Sequence, residues 1–273
     1  MRRLLLLVAV AFMSLLFITA CTKKSEDTPK AGGDASLTTI EKSGKFILGF
    51  DDSFPPMGFK DGNDYVGFDL DLAREVTSRM GVALVLQPIM WDVKEQELAT
   101  KKIDCIWNGF TITPEREKVL TFTRPYMSNK QIVIVLADSP IYTFKDLAGQ
   151  TIALQRNSSA SDALNKFPDV RKSVKQVLEF EDNLMAMTDL DTKSSDAVVM
   201  DIVVANYNYL IKSPGKYRIL SESLSDEFFG IGFRKNDIAL KNKIEQTLIE
   251  MAADGTMAEI SAKWFGMDIT TLK

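Results

Sequence analysis

The chain of 273 residues contains no histidine. That absence removes the Ser-His-Asp and Cys-His machinery of most hydrolases, imidazole general bases, and zinc sites of the usual kind. Cysteine is nearly as scarce, with only Cys21 and Cys105. Cys105 lies inside the apolar run IDCIW and reads as a buried small hydrophobe. With Cys21 set aside, as argued below, no internal disulfide is expected. Nor is there an excess of basic charge: 33 Lys and Arg face 37 Asp and Glu, a formal net charge of −4. No basic stripe is visible either, so nucleic acid is not expected as a partner. Neither metal nor cofactor is expected.

What is present begins with a leader. MRRLLLLVAVAFMSLLFITAC carries Arg2 and Arg3, then an apolar run from Leu4 to Ile18 broken only by Ser14, then small residues. This reads as a secretory signal peptide over residues 1–20, too short for the ~20 apolar residues of a spanning helix. Ile18-Thr19-Ala20-Cys21 resembles a bacterial lipobox with isoleucine in place of the usual leucine, which makes Cys21 the expected lipidation site; simple secretion is the alternative. Removing the leader takes the formal charge from −4 to −6. From Thr22 to about Ser36 the text is polar, Pro- and Gly-bearing and aperiodic, the composition of a flexible tether.

Beyond the tether, strand-like and helix-like runs alternate. KFILGF (45–50), VALVLQPI (82–89) and IDCIWN (103–108) read as strands. Between them, VGFDLDLAREVTSRMG sets Phe68, Leu72, Val76 and Met80 at helical spacing with Gly81 as a stop, and VKEQELATKK reads as a second helix. This β-α-β-α-β order predicts a parallel sheet covered by helices. QIVIVLAD (131–138), TIALQR (151–156) and DAVVMD (196–201) predict a second such unit. FFGIGFRK (228–235) predicts one more strand, and two closing helices carry Leu240, Ile244, Leu248 and Met251, then Met257, Ile260 and Trp264. Two α/β lobes of ordinary domain size follow.

One short stretch resists a purely structural reading. In WNGFTITPER (107–116), Thr113 reads as a helix cap and Pro114 occupies the first turn, where a missing N–H costs nothing. Arg116 then places a cation in that first turn, against the backbone dipole.

Several stretches together resemble the extracellular solute-binding proteins of ABC transporters, in the polar amino acid family. They are GFDDSFPPMGF (49–59), YVGFDLDLAREV (65–76), KKIDCIWNGFTITPEREKVLTFTRPY (101–126), DLAGQTIALQRNSS (146–159), SDAVVMDIVVANY (195–207), FGIGFRKND (229–237) and DGTMAEISAKWFG (254–266). The resemblance implies an α/β fold of two Rossmann-like lobes joined by a two-strand hinge, with a ligand cleft between them. It implies lobe boundaries of 37–127 plus 227–273 for the first and 128–226 for the second. It further implies a monomeric, exported, non-enzymatic receptor, lipid-anchored to the cell-envelope membrane, that presents a free L-amino acid to an ABC permease.

By the same resemblance Arg116 clamps the ligand's α-carboxylate through a planar, two-bonded fork, and an anion arriving there answers the dipole objection. Thr111 offers its N–H to the carboxylate and its hydroxyl to the ammonium, and Gly109 offers its carbonyl to the ammonium. Ser158 and Ser159 add donors to the carboxylate from the other lobe, next to Asn157, which stands where the family has glycine. Asp201 pairs with the α-ammonium. Phe54, Trp91 and Asn108 border the side-chain pocket, and Asp51 receives a distal cation. The ligands implied are arginine, lysine or glutamine, with cystine as the alternative. A periplasmic dehydratase or a ligand sensor on the same fold are further alternatives. Each residue also has a plainer role: Trp107 as core, Phe54 as turn packing, Asp51 as loop charge, Ser158, Ser159 and Asp201 as helix caps.

Overall fold

A computed structural model describes residues 33–273. The leader, the lipidation site at Cys21 and most of the expected tether lie outside the described residues. Where the tether was expected to end, a helix begins at once, Ser36–Ser43, closed by Gly44 in the left-handed conformation.

Two five-stranded sheets organise Asp34–Lys273, which forms one unit. The first is built from β1 (Lys45–Phe50), β5 (Ala83–Pro88), β6 (Cys105–Ile106), β7 (Leu120–Phe122) and β13 (Gly232–Arg234), in the order β5-β1-β6-β13-β7. Its first three strands are parallel, as the alternation of strand and helix predicts, and β13 runs against β6 and β7. The second contains β8 (Met127–Leu136), β9 (Thr151–Gln155), β10 (Gln176–Phe180), β11 (Ala197–Asp201) and β12 (Tyr217–Phe229), in the order β10-β9-β11-β8-β12. A small antiparallel sheet, β2 (Ser53–Phe54), β3 (Gly58–Asp61) and β4 (Asp64–Val66), follows β1.

The helical periodicity over 68–80 corresponds to a helix, Phe68–Met80, that buries Phe68, Leu72 and Val76 and ends at left-handed Gly81. At its start Gly67 has φ 147°, and a Cβ there would stand 2.3 Å from the Met57 carbonyl oxygen, so only glycine fits. The closing helices are Ile238–Ala253 and Thr256–Phe265. Cys105 and Trp107 are fully buried in the main apolar cluster, with Phe46, Leu48 and Phe50 of β1, so Trp107 is core.

Two expectations change. The run 103–108 contributes only Cys105–Ile106 to the ladder, because the chain turns at Gly109, φ 54°. FFGIGFRK is not one strand: Phe228 and Phe229 end β12, and Gly232 begins β13 after a break at Gly230-Ile231. β12 runs antiparallel to β8 from Tyr217 opposite Leu136 to Phe229 opposite Met127. The chain therefore leaves the first sheet along β8 and returns to it along β12, side by side, which fits a two-strand hinge.

Candidate functional site

The parallel strands of both sheets end at one seam, and carboxyl ends of such strands are where α/β folds gather polar groups. Asp51 follows β1, Trp107 to Thr111 follow β6, Gln155 ends β9 with Arg156 to Ser159 after it, and Asp201 ends β11.

Arg116 enters this seam from the short helix Pro114–Val119. Thr113 caps that helix, accepting from the Arg116 N–H, and Pro114 occupies its first position. The Arg116 side chain is 8% exposed; its Nη1 donates to the Thr111 carbonyl at 2.7 Å, and its guanidinium stacks over the Phe110 ring at 4.4 Å. No ion pair among the described residues includes it. Burial pulls its pKa down, and the acids that act against this are Glu95, Asp162, Glu227 and Asp201. A buried guanidinium without an acid is an unmet demand for an anion.

On the opposite wall the turn after β9 carries Asn157 at φ 52°, the left-handed backbone that asparagine tolerates better than most residues. Ser158 and Ser159 follow at the start of the helix Ser159–Asn165. Both are buried; Ser158 Oγ donates to the Gln155 carbonyl at 2.7 Å, and Ser159 Oγ accepts from Gln131 Nε2 at 3.0 Å. Thr111 Oγ1 lies 3.2 Å from Ser159 Oγ and donates to Glu227 Oε2 at 3.0 Å.

Asp201 is buried, and its Oδ1 accepts from Asn129 Nδ2 at 2.6 Å and Gln131 Nε2 at 2.7 Å. Its pKa is pushed up to about 7, first by burial and next by the charge of Glu227. Asp51 is also buried, and its Oδ1 accepts from the Ser53 N–H at 2.8 Å. Its Oδ2 accepts from Gln155 Nε2 at 2.8 Å. Burial raises it to about 6, and Asp182 and Asp52 add to the rise. Asp51, Asp52, Glu181 and Asp182 share a cavity of about 240 Å³ whose apolar wall includes Trp91. Asn108 meets this loop through its Oδ1, which accepts from the Asp51 N–H at 3.1 Å and so positions Asp51, while its buried Nδ2 has no partner among the described residues. Phe54 stands against Gly109, where a Cβ would come within 2.9 Å of the ring. Trp91 meets Phe110 edge to face at 5.6 Å between centroids.

The structure thus gathers Arg116, Thr111, Gly109, Ser158, Ser159, Asp201, Asp51, Phe54 and Trp91 along one seam, with Asn108 behind Asp51. Sequence reasoning missed four participants. Asp69 lies fully buried beneath the loop and accepts from the Gly109 N–H at 2.6 Å and the Tyr126 hydroxyl at 2.9 Å; burial raises its pKa to about 7. Lys94 is buried, donates to the carbonyls of Trp91 at 3.1 Å and Asn157 at 2.9 Å, and is pushed down to about 8, chiefly by burial. Gln131 lies between Asp201 and Glu227, its Nε2 donating to Asp201 Oδ1 at 2.7 Å and to Glu227 Oε2 at 3.0 Å. A signal existed for Gln131 but not for Glu227: Asn129 and Gln131 interrupt an apolar strand two residues apart, hence on one face.

A model of the bacterial extracellular solute-binding proteins, family 3, matches residues 46–267. The L-cystine-binding protein TcyJ of Escherichia coli is 28% identical over 239 residues, 86% of this chain and 87% of its own length. ABC transporter arginine-binding protein 1 of Escherichia coli is 30% identical over 228 residues, covering 81% of this chain and 90% of its own. Among solved structures, an ABC uptake transporter substrate-binding protein from Streptococcus pneumoniae with bound histidine superposes with a TM-score of 0.84 at 36% identity, over 88% of this chain and 99% of that one.

Proposed function

The chain belongs to the bacterial extracellular solute-binding proteins of family 3, and from that premise we propose that it captures a free L-amino acid between its two lobes and delivers it to an ABC permease. The observation that carries this reading is Arg116, a buried guanidinium with no acidic partner, set in the same seam as the buried acid Asp201. A zwitterion supplies both missing charges.

In this reading Arg116 holds the α-carboxylate by two parallel charge-assisted bonds, assisted by Ser158, Ser159 and the Thr111 N–H. Asp201 and the Gly109 carbonyl receive the α-ammonium. Phe54 and Trp91 sandwich the ligand's side chain. The acidic cavity at Asp51 favours a guanidinium or ammonium tail, so arginine and lysine rank ahead of glutamine and cystine. The names of the relatives, which cover arginine, histidine and cystine, support an amino acid without choosing among them.

The rigid bodies of closure are taken as 37–127 with 227–273, and 128–226. A ligand touching both stabilises only their closed arrangement. The reading makes the protein a monomeric receptor rather than an enzyme, exported and held to the envelope membrane through lipid on Cys21. Loss of palmitate labelling in Cys21→Ser tests the anchor.

A thermal-shift screen against the free amino acids and cystine tests the function. A ligand at a thousand times its Kd stabilises by about 4 kcal/mol, roughly 10 °C for a body of this size. At least one L-amino acid is expected to give such a shift; none doing so overturns the reading.

A further inference from the structure

Beside Asp201 stands a second buried acid that neither the motif resemblance nor the zwitterion reading uses. Glu227 lies on β12, where the chain returns to the first sheet. Strand register puts it in place: β8 lies between β11 and β12, with Gln131 opposite both Asp201 and Ser225, and Asn129 opposite Glu227. A lateral row of polar side chains results. Glu227 Oε2 accepts from Gln131 Nε2 at 3.0 Å, Asn129 Nδ2 at 3.2 Å and Thr111 Oγ1 at 3.0 Å, and its Oε1 accepts from Ser225 Oγ at 2.8 Å.

This row has more acceptors than donors. Gln131 Nε2 has two hydrogens and three acceptors within reach: Asp201, Glu227 and Ser159. Asn129 Nδ2 is shared between Asp201 and Glu227. The carbonyl oxygens Asn129 Oδ1 and Gln131 Oε1 are buried and accept nothing. A buried site with two carboxylates and two idle carbonyl oxygens lacks hydrogen-bond donors, and a primary ammonium brings three.

Resting on the amino-acid reading above, we propose that Glu227 and Asp201 jointly receive the ligand's α-ammonium, and that the two carboxylates hold a proton between them which the incoming ammonium displaces to solvent. Like-charged carboxylates sharing buried donors do not both ionise readily, so the ligand-free pair retains that proton. The upward displacement of Asp201 by burial and by the Glu227 charge agrees with this. The charged groups around the pair are Arg116 from the first lobe, with Glu95 and Lys94 behind it, and Asp162 from the helix after β9. The neighbouring Asp226 and Lys130 pair with each other at 3.0 Å on the exposed face and stay out of the site. No histidine is available to mimic the effect.

The test is calorimetry with L-arginine, L-lysine, L-histidine, L-glutamine and L-cystine, followed by titration of the tightest binder at pH 6.0 to 7.5 in buffers of different ionisation enthalpy. Binding is expected to release close to one proton near pH 6, and affinity to rise severalfold per pH unit. Asp51, Asp69 and Lys94 also titrate in or near this range, so the comparison is with Glu227→Gln. That variant is expected to weaken binding at pH 7.5 by tenfold or more and to cut both proton release and pH slope to less than half. Glu227→Asp, which keeps the acid, is expected to recover most of the release. An unfolded Glu227→Gln protein would show in its circular dichroism. Asp201→Asn, which removes the other acid of the pair, then carries the comparison with the same expected loss of release and of pH slope, an unchanged release overturning the proposal. Binding without proton release, or with the same release in Glu227→Gln, overturns the proposal alone. Absence of binding by any of the amino acids overturns the zwitterion reading together with it.

Discussion

At the scale of single residues the seam is a set of ionisable groups held away from their ordinary states. Asp51, Asp69 and Asp201 are raised from 3.8 to about 6, about 7 and about 7, with burial the largest cause in each. An acid raised on folding favours the folded state while protonated. Its contribution is complete below its unfolded pKa near 4 and is lost as pH rises through the folded value. The ligand-free protein is therefore expected to lose thermal stability between about pH 4 and pH 8, read from melting temperature against pH. A curve that rises or stays flat over that window would contradict the burial of these acids. Asp254 and Asp268 are lowered to about 2, by hydrogen bonds to Arg79 and Lys273 first, so their opposite effect acts below pH 4 and does not mask this trend. For the ligand tail, Asp51→Asn is expected to weaken arginine at least tenfold more than glutamine, an ion pair lost in the first case and a neutral contact in the second. Equal losses would remove Asp51 from tail recognition. At the left-handed turn, Asn157→Val is expected to cost about 1–2 kcal/mol in denaturant unfolding, whereas Asn157→Gly stays near neutral.

At the scale of elements, legibility followed the strength of local patterning. The helix Phe68–Met80 announced itself by a 3.6-residue apolar repeat and a glycine stop, and the central strands by unbroken apolar runs. Arg116 and its cap were legible because Thr113-Pro114 is a strong start signal that made the cation conspicuous. β12 was not: YRILSESLSDEFF is mixed, with two register shifts against β8, so its burial pattern shows no clean alternation. The same shifts decide where Glu227 falls, which is why the second acid could not be placed from sequence. Nothing in VKEQELATKK sets Lys94 apart from the other charges of that run; the meeting of Lys94–Ala99 with the turn after β9 buries it. The Gly109 turn joins these elements. Its φ is 54°, and a Cβ would crowd Phe54 at 2.9 Å and Met57 and Phe229 at 3.3 Å. Gly109→Ala is expected to destabilise by about 2 kcal/mol in denaturant unfolding and to weaken ligand binding with it. An alanine variant of unchanged stability and affinity would show that the turn has slack.

At the scale of the whole molecule the two sheets meet in a closed arrangement with direct contacts across the seam. Gln155 reaches Asp51, Lys94 reaches the Asn157 carbonyl, Arg156 lies 3.3 Å from Asp92, and Thr111 lies 3.2 Å from Ser159. The pairing of Arg156 with Asp92 is largely exposed and adds little; the buried Lys94 contact counts for more. Truncating Lys94 to methionine leaves the Asn157 carbonyl without its donor and is expected to shift the ligand-free protein toward open forms, seen as a larger radius of gyration by small-angle scattering that ligand reverses. The central claim is that closure traps a zwitterion by both its ends, carboxylate at Arg116 and ammonium at Asp201. Isothermal titration of the protein with L-arginine (or the tightest-binding amino acid from the thermal screen) and with the same molecule lacking its α-carboxylate tests this most directly. Leaving Arg116 buried and unpaired costs on the order of 3–5 kcal/mol, so the decarboxylated amine is expected to bind at least a hundredfold more weakly; equal affinity for the two would contradict the account.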